Sequence, residues 1–287
     1  MQKILFSKMN GAGNDFIIID KDFNPDFVLL TNGIAKLCNR HYGIGADGVI
    51  TIASSKDYDF IMEYFNADGS TGSLCGNGAR CAINFAAQKF SLENQVRFLS
   101  NGVEYSGEIL EENKVRFYFN SPGPLKSNLK IKAGGQLIGA DFINTGSPHI
   151  VIEIQDILKD PLKPRSRYND IKEVPAFSLG REIRYLPEFS PGGTNVNFIN
   201  LKDGKIQIRT YERGVEDETL SCGTGSAASA LIAFFRKKIK PPVTLIAAGG
   251  DELIVDFKFV DEKIKELSLT GLVVNSFTGE FLLNKYL

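Results

Sequence analysis

The stretch LSCGTGSAASALIAFF, residues 220–235, opens with small residues and continues as an apolar run. A run that is apolar on every side predicts a helix buried on all faces, and therefore the centre of a domain. Cys222 stands directly before the first helical residue. We expect the basic run 236–240 in the last turns of this helix, where cations suit the negative end of the helix dipole, and Pro241 and Pro242 to end it.

A second stretch repeats this arrangement. In SLCGNGARCAINFAA, residues 73–87, Cys75 precedes a predicted helix with the same Cys-Gly-x-Gly spacing that follows Cys222. A further echo joins GNDF (13–16), which leads into IIID, to GSPH (146–149), which leads into IVIEI. Both echoes are separated by about half of the 287-residue chain, which indicates an internal duplication. The alternative is chance similarity between glycine-rich turns.

Most of the remaining sequence is typical of short strands, rich in β-branched and aromatic residues and bounded by Gly, Asn, Asp or Pro. The predicted strands are NDFIIID (14–20), DGVITIA (47–53), DFIMEYF (59–65), KVRFYFN (114–120) and PHIVIEI (148–154). Asn101-Gly102 and Asp203-Gly204 each predict a hairpin between two such runs, which indicates mostly antiparallel sheet. One further short helix is predicted over residues 33–42.

Composition narrows the class of protein. The chain has a formal charge of −1 and a pI of about 6.2, which gives no indication of nucleic-acid or anionic-membrane binding. Its longest apolar run is far shorter than the roughly 20 residues of a membrane span, and its N-terminus has no apolar run of signal-peptide length. We therefore expect a cytoplasmic protein whose four cysteines are free thiols. The cysteine spacings and the two histidines argue against a zinc site.

A thiol at a helix start has a specific chemistry. The unpaired N–H groups and partial positive charge at that end favour the thiolate, and they also bind an anion such as a carboxylate. The glycines Gly76, Gly78, Gly223 and Gly225 are expected to let a ligand approach the backbone closely.

Two such helix starts, facing each other across a domain interface, could hold one small carboxylate. A thiolate on one face would remove the α-proton while a thiol on the other face returned a proton, which inverts the stereocentre without a cofactor. Reacting distances of ~3–3.5 Å on each side would place the sulfurs roughly 7 Å apart. The acid/base residues predicted on this reasoning are Cys75 and Cys222.

At these residues the chain closely resembles diaminopimelate epimerases. The similarity is carried by FSKMNGAGNDFIIID, NRHYGIGADG, NADGSTGSLCGNGARC, TGSPHIVIE, GGTNVNF and YERGVEDETLSCGTGSAA. It implies a cofactor-independent epimerase that interconverts LL- and meso-diaminopimelate for lysine and cell-wall synthesis. It also implies an α+β fold of two pseudo-symmetric domains, each a mostly antiparallel, barrel-like sheet around a central buried helix, and a homodimer. The expected domains are 1–119, completed by a C-terminal strand at about 274–287, and 120–273.

The resemblance also implies roles for individual residues. The helix starts that hold the reacting carboxylate would be formed by Gly76 and Asn77, with Gly223 and Thr224. The residues matching other substrate-binding positions are Asn14, Asn66, Asn195, Glu212 and Arg213. His149 and Glu212 match groups that tune the thiols. An arginine suits the distal carboxylate because it can donate two hydrogen bonds to it.

The chain departs from the common pattern at three places. Ser147 stands where an asparagine is frequent, Gly48 stands where many members carry a glutamine, and ERGVEDET is one residue longer. These departures bear on substrate geometry rather than on the class of reaction.

Several alternatives stay open on sequence alone. Cys38 and Cys81 are expected to be core thiols and His41 a structural hydrogen-bonding residue, while Asn14 and Asn66 could be turn formers. Rival functions are an epimerase or racemase for proline, hydroxyproline or another amino acid, a cysteine hydrolase, and a non-enzymatic amino-acid binding protein.

Overall fold

A computed structural model describes residues 2–25, 27–28, 30–72, 74–236 and 238–286. Ser73 and Lys237, in the quoted cysteine stretch and the basic run, lie outside the described residues. Contacts divide the chain into unit 1, Met1–Tyr118 with Thr270–Leu287, and unit 2, Phe119–Leu269. Within the described residues, no helix has the length and apolar character that a membrane crossing requires.

The helices and strands alternate in a similar order in both units. The elements of unit 1 are β1 (Lys3–Gly11), β2 (Asn14–Asp20), α1 (Thr31–Cys38), β3 (Gly48–Ala53), β4 (Phe60–Asn66), α2 (Gly76–Phe90), β5 (Gln95–Ser100), β6 (Val103–Glu111) and β7 (Lys114–Tyr118). Those that follow are β8 (Lys126–Ala133), β9 (Gln136–Asn144), β10 (Pro148–Glu153), α3 (Ala176–Arg184), β11 (Asn195–Lys202), β12 (Lys205–Glu212), β13 (Asp217–Thr219), α4 (Gly223–Phe235), β14 (Val243–Ile246), β15 (Glu252–Val260) and β16 (Lys263–Leu272). The last strand, β17 (Val274–Leu282), pairs with β1 in unit 1.

Strand pairing follows one pattern in the two units. In unit 1, β1–β2 is antiparallel, β2–β3 parallel, β3–β4 antiparallel, β4–β5 parallel and β5–β6 antiparallel. In unit 2 the same order is made by β9–β10, β10–β11, β11–β12, β12–β14 and β14–β15. A helix crosses over at each parallel step, as such steps require: α1 and α2 in unit 1, α3 and α4 in unit 2. The duplication seen in the sequence is therefore a duplication of topology.

The two predicted hairpins are confirmed. Ser100 pairs with Val103 around Asn101-Gly102, and Lys202 pairs with Lys205 around Asp203-Gly204. All four turn residues have positive φ, between 50° and 74°. A two-residue turn with positive φ at both positions suits the twist of the flanking strands, which explains the Asn-Gly and Asp-Gly pairs.

The predicted central helices are confirmed as well. Helix α2 contacts β1, β2, β3, β6 and β7, and α4 contacts β9, β10, β11, β12, β14 and β15. Every residue of α4 from Gly223 to Ala233 is buried. Each unit thus wraps mostly antiparallel strands around one helix.

Two expectations about helices are corrected, and one helix was not predicted. Helix α4 ends at Phe235, so the basic run follows the helix instead of forming its last turns, and Arg236 is the C-cap residue. Helix α1 ends at Cys38, because the side chain of Asn39 accepts hydrogen bonds from the N–H groups of His41 and Tyr42 at 2.9 Å and turns the chain. Helix α3 was not predicted; its buried residues recur with helical spacing but the segment is short.

The second glycine of each Cys-Gly-x-Gly packs against a strand, which corrects the expectation that it admits a ligand. A Cβ on Gly225 would fall inside 3.0 Å of Asn197 Oδ1. On Gly78 it would meet Ile50 at 3.2 Å and Phe16 at 3.4 Å. The absence of a side chain at these two positions lets each helix start approach its sheet.

This difference predicts unequal effects of adding one methyl group. Gly225→Ala should destabilise the fold by about 1–3 kcal/mol, because Asn197 is held by buried hydrogen bonds and cannot retreat. Gly78→Ala should cost less, since alanine favours a helix and the apolar neighbours can shift by a few tenths of an ångström. Urea unfolding of both variants measures this, and an equal midpoint shift would contradict the packing argument.

Candidate active site

Cys75 and Cys222 are the N-cap residues of α2 and α4. Both have extended backbone angles, and their carbonyl oxygens accept the first helical hydrogen bonds, from Ala79 N at 2.8 Å and Ser226 N at 2.9 Å. Neither helix has an acidic residue in its first turn. No carboxylate in the first turn therefore offsets the positive end of the helix dipole, which favours the thiolate form of each cysteine.

In unit 1 the half-buried Cys75 is held by Asn14. Cys75 Sγ donates to Asn14 Oδ1 at 3.2 Å, and Asn77 Nδ2 donates to the same oxygen at 3.5 Å. Asn14 Nδ2 in turn donates to Asp47 Oδ2 at 2.5 Å. Three of the residues expected in the site, Cys75, Asn77 and Asn14, thus contact one another.

A group of charges supports Asn14 from behind. Arg40 donates to Asp15 at 2.7 Å and to Asp47 at 2.8 Å, and Lys8 also binds Asp15. Burial opposes ionisation of Asp15, but hydrogen bonds and charges from Arg40 and Lys8 outweigh it and lower its pKa from 3.8 to about 2. Burial, together with the neighbouring charge of Asp15, raises the pKa of Asp47. The sequence contained these charges, but no spacing in it tied them to Cys75.

Arg80 lies wholly buried one turn into α2. Its Nη1 donates to Asn77 Oδ1 at 3.1 Å and to the Gly76 carbonyl oxygen at 3.5 Å. The first turn of the helix that begins at Cys75 is therefore fixed from below by a buried cation, a contact that the sequence did not predict.

Asn66 and Gly48 pair with each other in the β3–β4 ladder. Asn66 donates through Nδ2 to Ser70 Oγ at 3.0 Å, and none of its hydrogen bonds in the described residues reaches Cys75. A side chain at Gly48 would meet Tyr64 at 2.7 Å, so the ring of Tyr64 occupies the space that a glutamine would need.

In unit 2 the buried Cys222 lies beside Thr224 and His149. The sulfur is 3.5 Å from Thr224 Oγ1, which is 2.9 Å from His149 Nε2 and 3.2 Å from Ser147 Oγ. Burial lowers the pKa of His149 from 6.5 to about 3, with a contribution from the positive charge of Arg213. His149 is therefore neutral near pH 7, which makes it a hydrogen-bonding group and not a standing charge.

Asn195 connects this group to the end of β12. Its Nδ2 donates to the Pro148 carbonyl oxygen at 2.8 Å and to Ser147 Oγ at 3.2 Å, while its Oδ1 accepts from Arg213 N at 2.9 Å. Glu212, the last residue of β12, accepts from Thr219 Oγ1 at 2.8 Å.

The loop between β12 and β13 is held by Glu216. Its Oε1 accepts from Arg184 Nη2 at 2.9 Å and from Gly214 N at 3.0 Å, and its Oε2 accepts from Tyr185 Oη at 2.9 Å. This loop is thus anchored to the end of α3 and its C-cap Tyr185.

The other candidates lie apart from this chemistry. Cys38 and Cys81 are buried, and burial raises the pKa of each thiol to about 12, as expected of core cysteines. His41 is exposed, and its backbone N–H donates to Asn39 Oδ1 at 2.9 Å. Cys75 and Cys222 are therefore the two remaining candidates for acid/base thiols.

Known proteins match this chain over almost its whole length. The profile of the family described as diaminopimelate epimerase matches residues 6–122 and 142–273. The diaminopimelate epimerase of Aquifex aeolicus (strain VF5) is 38% identical over 286 residues, covering 96% of each chain. That of Hydrogenobaculum sp. (strain Y04AAS1) is 39% identical over 241 residues, covering 80% of this chain and 83% of the other.

Solved structures share the fold at low identity. A phenazine biosynthesis protein of the PhzF family from Bacillus anthracis has a TM-score of 0.70 at 14% identity, covering 98% of this chain and all (100%) of the other. A hydroxyproline epimerase from Agrobacterium vitis, with trans-4-hydroxy-L-proline bound, has a TM-score of 0.68 at 13% identity, covering 97% and 92%. At such identities the likeness shows the fold alone.

Proposed function

The chain belongs to the diaminopimelate epimerase family, and we propose that it interconverts LL- and meso-diaminopimelate with Cys75 and Cys222 as its acid/base pair and no cofactor. One observation carries this proposal. Each unit, by the same topology, brings a cysteine to the N-cap of its central buried helix. At that position the helix dipole favours the thiolate, a property that acid/base chemistry needs and a purely structural thiol does not.

The chemistry requires one sulfur on each face of the α-carbon. A thiolate removes the α-proton and takes it as S–H, the electron pair passes into the substrate carboxylate, and the opposite S–H then protonates the carbon. The two sulfurs exchange roles, so protons and charge balance over one turnover. Each sulfur must approach the carbon to ~3–3.5 Å for this transfer.

The carbanion is the costly intermediate. We expect the backbone N–H groups of Gly76, Asn77, Gly223 and Thr224 to bind the carboxylate in which its charge develops. A preorganised donor of this kind contributes about 2.7–4 kcal/mol to a transition state, although such contributions do not add. Helix N-termini supply these donors without any group having to reorganise during the reaction.

The distal end of diaminopimelate carries an ammonium and a carboxylate. Glu212 and Arg213 supply the complementary charges, and Asn14, Asn66 and Asn195 supply amides. The amide of Asn195 also makes three hydrogen bonds inside unit 2, and one of them fixes the backbone of Arg213. We therefore propose that Asn195 acts mainly by positioning Arg213, and that His149 and Glu212 tune the thiols.

Two further properties belong to the proposal. Free thiols suit a reducing compartment, which supports a cytoplasmic enzyme. The resemblance to diaminopimelate epimerases supports a homodimer.

Turnover in heavy water tests the reaction. The purified chain, with LL-diaminopimelate and no added cofactor, should form meso-diaminopimelate that carries solvent deuterium at the inverted α-carbon. Proline and hydroxyproline, which lack a distal amino-acid group, should not turn over in parallel reactions. Racemisation of those amino acids without turnover of diaminopimelate would assign the chain another substrate, and binding without deuterium exchange would make it a binding protein.

A further inference from the structure

Asn197 fixes the tautomer of His149. Its Oδ1 accepts from Thr210 Oγ1 at 3.0 Å, and its Nδ2 donates to the Ile150 carbonyl oxygen at 3.0 Å. The same Nδ2 is 3.0 Å from His149 Nδ1. The Ile150 carbonyl oxygen can only accept, so the end of the Asn197 amide that faces it must be the nitrogen. That nitrogen also donates to the histidine, so His149 Nδ1 must be the acceptor. The neutral ring therefore carries its proton on Nε2.

His149 Nε2 accordingly donates. Its neighbours are Thr224 Oγ1 and Ser147 Oγ, each at 2.9 Å. Both hydroxyl oxygens can accept this proton, so neither hydroxyl can direct its own proton at the histidine.

Ser147 has one candidate acceptor for its proton among the described residues. Asn195 Nδ2 donates to Ser147 Oγ at 3.2 Å, and the orientation of that amide is fixed because its Oδ1 accepts from Arg213 N. Ser147 therefore accepts from Asn195, and among the described residues Thr224 Oγ1, 3.2 Å away, is the acceptor within reach of its hydroxyl proton. The serine that departs from the common sequence pattern thus becomes part of the hydrogen bonding around Cys222.

When His149 and Ser147 donate to Thr224 Oγ1, the acceptor within reach of the Thr224 hydroxyl proton, among the described residues, is Cys222 Sγ at 3.5 Å. We propose that Thr224 is a positioning residue whose hydroxyl donates to the Cys222 sulfur, so that Cys222 is the thiolate of the resting enzyme. The assignment of this thiolate as the resting base rests on the proposed epimerase function.

Cys75 has the opposite hydrogen-bond polarity. Asp47 accepts from Asn14 Nδ2, so Asn14 presents its oxygen to the sulfur and accepts from it. A carbonyl oxygen stabilises S–H and repels a thiolate. The resting pair is therefore a Cys222 thiolate and a Cys75 thiol, which makes Cys75 the first proton donor.

Other charges around α4 are held constant in the test. On the strands packed against this helix, Asp141 and Glu153 bind Arg236, Lys205 binds Glu252, and Arg209 binds Glu218. Glu212 and Arg213, at the end of β12, begin the segment that leads to Cys222. All of them are present in every variant compared below.

Nitrogen-15 NMR reads the tautomer directly in the unaltered full chain. The chain has two histidines, so histidine labelled on both ring nitrogens gives two sets of signals, with exposed His41 as the reference. His149 should show a protonated Nε2 and an unprotonated Nδ1 that hold over the pH range in which the protein stays folded. A proton on Nδ1, or an imidazolium near pH 7, would overturn the proposal.

The pH dependence of thiol alkylation measures the effect of this hydrogen bond on the ionisation of Cys222. In a Cys75→Ser background, which removes coupled titration, Thr224→Val should move the iodoacetamide profile of Cys222 to higher pH by about one unit and slow the reaction near pH 7 about tenfold. Thr224→Ser keeps the hydroxyl and should restore the original profile. In the unaltered chain the alkylation profile of Cys222 should have its midpoint at a lower pH than that of Cys75, a comparison that does not depend on their different exposure.

Equal profiles for Thr224→Val and Thr224→Ser, or a midpoint for Cys75 at a lower pH than that of Cys222, would overturn the assignment. Neither experiment uses substrate. A chain that failed to epimerise diaminopimelate could still show this tautomer and this profile, and an active epimerase could lack them, so the two proposals fail separately.

Discussion

Cys75→Ser and Cys222→Ser should each lower kcat for epimerisation by about 10²–10⁴-fold, the range that a positioned acid or base contributes. A serine hydroxyl is far less acidic than a thiol. The neutral hydroxyl is therefore too weak a base to remove an α-proton, and donating its own proton would form a high-energy alkoxide. Both substitutions should act mainly on kcat, because the N–H groups that bind the carboxylate are part of the backbone. The assay is stereochemical turnover of LL-diaminopimelate in heavy water.

The chain supplies its own matched controls. Cys81 lies on the same helix as Cys75 and Cys38 on α1, both buried, and Cys81→Ala and Cys38→Ala should keep kcat within a few-fold while lowering the unfolding midpoint. Inversion that survived either N-cap substitution at a near-normal rate would remove the two-base mechanism. A severe loss in both control variants would instead indicate damage to the fold.

The two variants should also differ from each other. If Cys222 is the resting base and Cys75 the resting acid, Cys222→Ser removes the group that first takes the α-proton of substrate bound to the resting form. Elimination of hydrogen fluoride from a β-fluoro analogue needs only that first step. Cys75→Ser should therefore retain more elimination than Cys222→Ser for the stereoisomer whose α-proton faces Cys222.

Local patterns were sufficient to predict much of the fold. Apolar periodicity, β-branched runs and the Asn-Gly and Asp-Gly turns place both central helices and both hairpins, because each is fixed by a few neighbouring residues. The parallel pairs β2–β3 and β10–β11 were not predicted, since they join strands far apart in the chain. Helix α3 was not predicted for a related reason: its nine residues are stabilised as a helix by packing on β11 and β12.

The residues of the candidate site also fall into those that local sequence predicts and those that it does not. Cys75 and Cys222 could be recognised because a helix start and a thiol are adjacent in sequence. Asp47 and Asn197 could not be recognised in this way. Asp47 orients the amide of Asn14, and the amide of Asn197 orients His149, and only the folded strands bring these pairs together. The sequence could not show which group donates each hydrogen bond, because that depends on the other hydrogen bonds that each partner makes in the folded protein.

Arg236→Leu should lower the free energy of unfolding by about 3 kcal/mol, near the lower end of the cost of breaking a buried ion pair. Arg236 Nε donates to Asp141 at 2.6 Å and its Nη1 donates to Glu153 at 2.8 Å. The Asp141 side chain is 3% exposed, against 24% for Arg236, so removing the guanidinium leaves a buried carboxylate whose other described hydrogen bond comes from Asn128 N. Arg236 also caps the C-terminal end of α4, where a cation is favourable.

Urea unfolding of three variants separates these causes. Lys238→Leu removes a 49% exposed cation that lies 3.4 Å from Glu153, and it should cost at most about 1 kcal/mol. Adding Asp141→Asn to Arg236→Leu removes the uncompensated charge and should recover part of the loss. If the single and double variants unfold at the same midpoint, the loss comes from packing or capping by Arg236 and not from its pairing with Asp141. Because α4 carries Cys222 at its other end, partial recovery of stability with unchanged alkylation of Cys222 would show that this ion pair anchors the helix without tuning its thiol.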